Sequence, residues 1–188
     1  MLFRSRLFDC CLESDGALAL VLVSAERARD LRQPPVLVRG FSQGVGPDHM
    51  VMANYFTPDP LESPGHYAAK DLWRACGMGP DEIDVCQIYD AFSPLVLISL
   101  EAYGFCKPGE GGPFASSGAL RADGGELPCN TSGGMLSESY MQSWNHQPEL
   151  VRQLRGGLGA RQVQGAEVAQ YVHDVAGKCK SIIYTKGV

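Results

Sequence analysis

The stretch DVCQIYDAFSPLVLISLEAYGFC, residues 84–106, decides the fold. Its first part, residues 83–88, is predicted to form a strand. Residues 93–103 are predicted to form a strongly apolar helix. Between strand and helix lies Tyr89-Asp90-Ala91-Phe92, a loop at a strand's carboxyl end, where α/β folds bind ligands. A second stretch, NTSGGMLSESY at residues 130–140, repeats this logic: a brief strand over 127–129 runs into a glycine loop that ends on Tyr140. Two tyrosines at two strand ends point to a site built on phenols.

Working outward, residues 17–23 (ALALVLV) read as a buried strand, and Ser24 caps a short helix over 25–31 with Glu26 in its first turn. Residues 36–41 (VLVRGF) form the next strand. Residues 42–60, rich in glycine, proline and aspartate, are expected to be a long loop. Ser63-Pro64 starts a helix over 66–76 that places Ala69, Leu72, Trp73 and Cys76 on one face, and Gly77 stops it. The glycine-rich stretch 104–125 reads mainly as loop. A helix over 147–154 and a closing pair of strands, 167–173 and 180–185, complete the chain. The order is an α/β layer fold with a mixed sheet of five strands and helices packed on it, beside the separate 17–23 strand.

Composition excludes several function classes. A 188-residue chain with 45% hydrophobic and 20% charged residues has the make-up of a globular domain. A net charge of −5 gives no electrostatic reason to expect nucleic acid. The sequence holds no apolar run of about 18 residues, so no membrane span is expected, and its start is not a signal peptide. Seven cysteines, with no CxxC pair and no zinc-site spacing, read as reduced thiols in a cytoplasm and as small buried hydrophobes. No metal site is expected. Asn130-Thr131-Ser132 matches a glycosylation sequon by chance.

Several stretches together resemble the C-terminal half of thiolases, closest to the sterol-carrier-protein type and to the thiolase-like aldolases of the lipid-transfer-protein group. DCCLESDGALALVLVSAERARDL (9–31) resembles the end of the N-terminal thiolase repeat, and residues 84–106 the strand, loop and helix that carry the HDCF or NEAF-type motif. GEGG (109–112) has a counterpart there. Residues 130–140 resemble the loop of the GHP motif, and VHDVAGKCKSIIYTKG (172–187) the closing hairpin. On that resemblance residues 1–33 are the tail of an N-terminal thiolase domain, with a remnant strand, and 34–188 a thiolase-like C-terminal domain. The nucleophile loop would lie in a half this chain lacks, and the chain alone is expected to be inactive.

Departures from the pattern carry the chemistry. Tyr89 stands at the histidine position of HDCF, Ala91 at its cysteine, and Tyr140, six residues past Gly134, at the histidine of GHP. A methyl group cannot shuttle a proton, so thiolytic chemistry is poorly supported. The aldolase subgroup is similar, with tyrosines in both loops. It implies retro-aldol cleavage of a β-hydroxyacyl-CoA steroid side chain to a 17-keto steroid and propionyl-CoA. Such cleavage needs a base for the β-hydroxyl, an acid for the enolate carbon and donors for the enolate oxygen. Tyr140 is the leading acid or base and Tyr89 its partner. His173 matches a family histidine that would polarise the thioester. Asp90 orients its loop, while Asn130, Ser132, Gly133 and Gly134 shape theirs, with backbone amides that would line a pocket. Tyr55, Tyr67, Tyr103, Tyr171 and Tyr184 read as packing or surface residues, and His146 as a solvated residue at a helix start. The resemblance further implies coenzyme A as part of the substrate with no separate cofactor, a homodimer, and a small OB-fold partner protein of DUF35 type. A β-ketoacyl-CoA thiolase (acetyl-CoA acyltransferase) and a non-catalytic lipid or acyl-CoA binding protein are the alternatives.

Overall fold

The computed structural model describes residues 6–46, 58–59, 61–175 and 177–187. Among them the elements run α1 (Ala25–Ala28), β1 (Val36–Gly44), α2 (Gly65–Cys76), β2 (Val85–Ile88), α3 (Ser93–Ala102), α4 (Gly111–Ser116), α5 (Gly134–Ser137), α6 (His146–Arg155), β3 (Val168–Val175) and β4 (Lys178–Lys186). The strands form one mixed sheet in the order β1-β4-β3-β2. β3 and β4 are an antiparallel hairpin, β1 pairs antiparallel with β4, and β2 runs parallel to β3. Most of the predicted 42–60 loop, with His49 and Tyr55, lies outside the described residues; its first three residues extend β1.

α2 and α3 cover one face of the sheet. Ala68, Ala69, Leu72 and Cys76 recur at helical spacing on α2 and meet Ile88, Leu100, Val172, Cys179 and Ile183 in the larger core. Trp73 lies at that core's edge, with its ring edge-on to Tyr103 and Phe105. Gly77, at φ 63°, ends α2 in the left-handed conformation that only glycine adopts at no steric cost. α6 covers the other face through Leu150 and Leu154, packed on Val85, Ala169, Tyr171 and Tyr184. Ser63 does not cap α2; its hydroxyl donates to the buried Asp174 carboxylate of β3.

The sheet has four strands where five were expected. Residues 127–129 make a single bridge, Cys129 to Cys86. Pro128 has no N–H to extend a ladder, and Asn130, at φ 49°, leaves the extended region. The segment still covers the outer edge of β2, which is why all four residues of that last strand are buried. Residues 17–23 are not a strand either. Val21 and Leu22 are 88% and 80% exposed, and the backbone has no neighbouring strand to pair with among the described residues.

Candidate functional site

β2 and β3 run parallel, and their carboxyl ends place Tyr89 beside His173. Tyr89 N–H continues the ladder by donating to Val172 O at 2.9 Å. Its ring packs on the His173 imidazole with centroids 4.4 Å apart. The Tyr89 hydroxyl reaches the Tyr140 hydroxyl at 3.4 Å, although 51 residues separate them. Ala91, Met135, Leu95 and Cys11 pack around the pair.

Alternation along a strand end sends Asp90 the other way. It is 3% exposed, and its carboxylate accepts Met135 N–H at 2.8 Å and Leu136 N–H at 3.3 Å, in the first turn of α5. A Cβ on Gly134 would sit on Asp90 Oδ2, so a glycine at φ 62° is what lets the carboxylate reach these amides. Asp90 therefore ties the first tyrosine loop to the second and does not enter the phenol cluster. Asn130 does the same from the other side. Its Oδ1 accepts Ile88 N–H at 2.8 Å and its Nδ2 donates to Ile88 O at 3.0 Å, imitating a strand neighbour. Gly133 N–H bonds to Asn130 O, and Gly134 N–H to Ser132 Oγ. The Gly133 and Gly134 amides are thus engaged within the loop, and the Asn130 amide by Cys86 O.

Thr131 anchors the same loop at depth. Its hydroxyl donates to Glu149 Oε1 at 2.8 Å and accepts from Gln87 and Gln153 amides at 3.1 and 3.0 Å. Arg161 pairs with the other Glu149 oxygen at 3.2 Å, which gives the buried carboxylate its counter-charge.

Burial, and then the neighbouring Tyr140 hydroxyl, push the Tyr89 phenol well above its ordinary range. Tyr89 keeps its proton at neutral pH and is a donor. His173 is driven down to about 4, first by burial and then by Lys180, Lys178 and His146. It is neutral near pH 7, with Nδ1 held by Ser143 Oγ at 2.8 Å and the Tyr171 hydroxyl at 3.2 Å. Tyr140 is the more open member of the pair. It lines a cavity of about 520 Å³ with Ser14, Leu18, Met141, Gln142 and Trp144. Gln142 Nε2 donates to the Tyr140 oxygen at 2.6 Å, which leaves the phenolic hydrogen to point at Tyr89 or into the cavity.

Three features of this site were not read from the sequence. Gln142 and Ser143 both have left-handed backbones, φ 52° and 62°, and nothing in their identity announces it. His146 was expected to be solvated but is fully buried, with Nε2 3.3 Å from Asp90 Oδ1 in an alignment too poor to hydrogen-bond. A lone histidine at a helix start carries no signal of the carboxylate that packing brings to it. Cys11 reaches the phenol cluster from the far N-terminus, and burial, then Asp90, raise its thiol's pKa. Elsewhere, Tyr103, Tyr171 and Tyr184 are buried packing residues, as expected. His66 caps its own helix through Ser63 N–H. No His/Cys/Asp/Glu cluster suited to a metal occurs among the described residues.

Residues 44–184 match the family model described as thiolase C-terminal domain-like. The chain belongs to that family. This thiolase-like chain is 46% identical over 153 residues to a 17-hydroxy-3-oxo-4-pregnene-20-carboxyl-CoA lyase of Mycobacterium tuberculosis, covering 80% of the chain and 39% of the relative. It is also 46% identical over 151 residues to a steroid side-chain-cleaving aldolase of Thermomonospora curvata, covering 80% and 38%. The sterol carrier protein 2 of Rattus norvegicus is 31% identical over 187 residues, covering 95% and 34%. Among solved structures, an Ltp2-ChsH2(DUF35) aldolase superposes with a TM-score of 0.92 at 39% identity, over 97% of this chain and 48% of that one. The chain therefore spans less than half the length of these relatives. No helix among the described residues is long and apolar enough to cross a membrane.

Proposed function

We propose that this thiolase-like chain carries the acid/base half of an acyl-CoA lyase that cleaves a β-hydroxyacyl-CoA steroid side chain by a retro-aldol step. The observation that carries the reading is the Tyr89–Tyr140 hydroxyl pair, 3.4 Å apart, at positions where thiolytic family members would place histidines, with a methyl group at Ala91 in place of a thiol. The two relatives at 46% identity, named as a lyase and an aldolase, support it.

In the proposed step a base takes the proton from the β-hydroxyl. The oxygen's electron pair forms the ketone C=O, and the adjacent carbon–carbon bond breaks towards the thioester. The resulting enolate takes a proton on carbon to give propionyl-CoA, with no change of overall oxidation state. Tyr140, open to the cavity, exchanges protons with substrate. Tyr89, held neutral by burial, backs it as hydrogen-bond donor and proton store. His173 is proposed to polarise the thioester, and its lowered pKa supports a neutral imidazole rather than a cation in that role. Coenzyme A enters as part of the substrate. The complete enzyme is proposed to be a cytoplasmic homodimer with a DUF35-type OB-fold partner, a reading supported by the Ltp2-ChsH2(DUF35) assembly.

The test is Tyr140→Phe in the complete enzyme. Removing the hydroxyl should lower kcat by about 10²–10⁴, the usual worth of a positioned acid/base, with acyl-CoA binding retained. Unchanged cleavage by the variant, or thiolysis of a β-ketoacyl-CoA by the wild type, overturns the reading.

A further inference from the structure

The family match begins at residue 44, yet a segment far upstream of it lies across both tyrosine loops. Asp9 Oδ1 accepts the Ser93 hydroxyl at 2.8 Å, at the first residue of α3. Asp9 Oδ2 accepts Arg6 N–H at 2.7 Å, which fixes the carboxylate's rotamer. Cys11 N–H donates to Ala91 O at 2.9 Å, and Cys10 bridges Phe92 in antiparallel sense. The contacts to Ala91, Phe92 and Ser93 all fall on the segment that follows Tyr89. Two residues on, Glu13 bridges Tyr140 itself. At residue 16 a Cβ would overlap the Met141 side chain, so the chain passes close over the second loop as well.

We propose that residues 9–14 form a strap that is part of the site, and that Asp9, acting through Ser93, is a positioning residue that fixes the spacing of Tyr89 and Tyr140. The two loops come from different strand ends and are joined by the tyrosine hydroxyl contact, the Asp90 carboxylate and the Asn130 side-chain amide. The strap is a further tie, laid over the loops by a half-buried segment from outside the family match. Its inner residue, Cys11, closes the phenol cluster against water. Asp9 is well suited to the role, because a carboxylate at the start of α3 also meets the positive end of that helix's dipole. A segment outside the family match thus completes this site. Only the consequence for turnover rests on the retro-aldol reading.

The test compares Asp9→Ala, Asp9→Asn and Ser93→Ala in a Cys10→Ser background, by two readouts that need no activity. One is the rate of Cys11 alkylation by iodoacetamide, read by mass spectrometry. The other is the ¹³Cζ resonances of Tyr89 and Tyr140, assigned through their Phe variants. Asp9→Ala and Ser93→Ala should raise Cys11 labelling about tenfold, the order set by losing one hydrogen bond, and should move both tyrosine signals while Tyr103 and Tyr184 stay fixed. Asp9→Asn keeps an acceptor for Ser93 and should stay within about threefold of wild type. In the complete enzyme the same Ala variants should lower kcat with little change in KM. Unchanged Cys11 labelling and unchanged tyrosine signals in both Ala variants overturn the proposal. If the strap readouts move but wild-type enzyme shows no cleavage, the strap stands and the retro-aldol reading falls.

Discussion

Removing the Asp90 carboxylate tests how the two tyrosine loops are joined. In Asp90→Ala, two charge-assisted bonds to Met135 and Leu136 N–H vanish, one short at 2.8 Å and one long at 3.3 Å. Bonds to a charged acceptor contribute about 1.5–3 kcal/mol each, the longer at the low end. The substitution also leaves the fully buried His146 ring facing an empty space. The two lost bonds together set the expected loss at about 3–5 kcal/mol. It is about a fifth or more of a stability of about 5–15 kcal/mol. Asp90→Asn keeps an oxygen for Met135 N–H but turns an amide donor towards Leu136 N–H, so about 2 kcal/mol is expected. Urea unfolding followed by tryptophan fluorescence measures this, with Trp144 two residues from His146 as a local reporter. His146→Leu in the Asp90→Ala background should recover part of the loss by replacing an unpaired imidazole with an apolar side chain. An Asp90→Ala cost below about 1 kcal/mol, with an unchanged denaturant slope, would refute the account of Asp90 as the joint between loops.

Gly134→Ala should destabilise by about 2 kcal/mol or more, because alanine is strained at φ 62° and its methyl would displace Asp90. The same substitution in the Asp90→Ala background should cost only the backbone share, about 1 kcal/mol, and a double-mutant cycle separates the two. His173 has a folded-state pKa near 4 against an ordinary 6.5. The unfolded chain therefore binds a proton that the folded one refuses. Stability from this residue is fully present above about pH 6.5 and falls as pH drops towards 4. Urea midpoints at pH 7.5 and pH 5 should differ less in His173→Gln than in the wild type; an equal difference in both would remove His173 from the pH response.

The sequence by itself determined a good deal. Proline and glycine punctuation set the ends of α2, and apolar runs set α3, β1, β2 and the closing hairpin, because these signals are local and depend on backbone sterics and on which face must be buried. It also identified Tyr89, Asp90, Asn130 and Tyr140 as the residues worth locating, since each stands at a strand end within a loop of recognisable composition. Where local signals lacked a tertiary counterpart, they misled. Residues 17–23 have a strand's apolarity, but a strand needs a neighbour's N–H and C=O groups, and here none is offered among the described residues. Residues 127–129 fail for a different reason, a proline and a left-handed asparagine at their end. Only the tertiary structure decided the site itself. It brought two hydroxyls 51 residues apart to 3.4 Å, turned Asp90 away from them and onto α5, buried His146 against that carboxylate, and laid residues 9–14 across both loops. These are contacts between segments distant in sequence. Their geometry is fixed by the packing of β2, β3 and α6 together, which no single window of residues encodes.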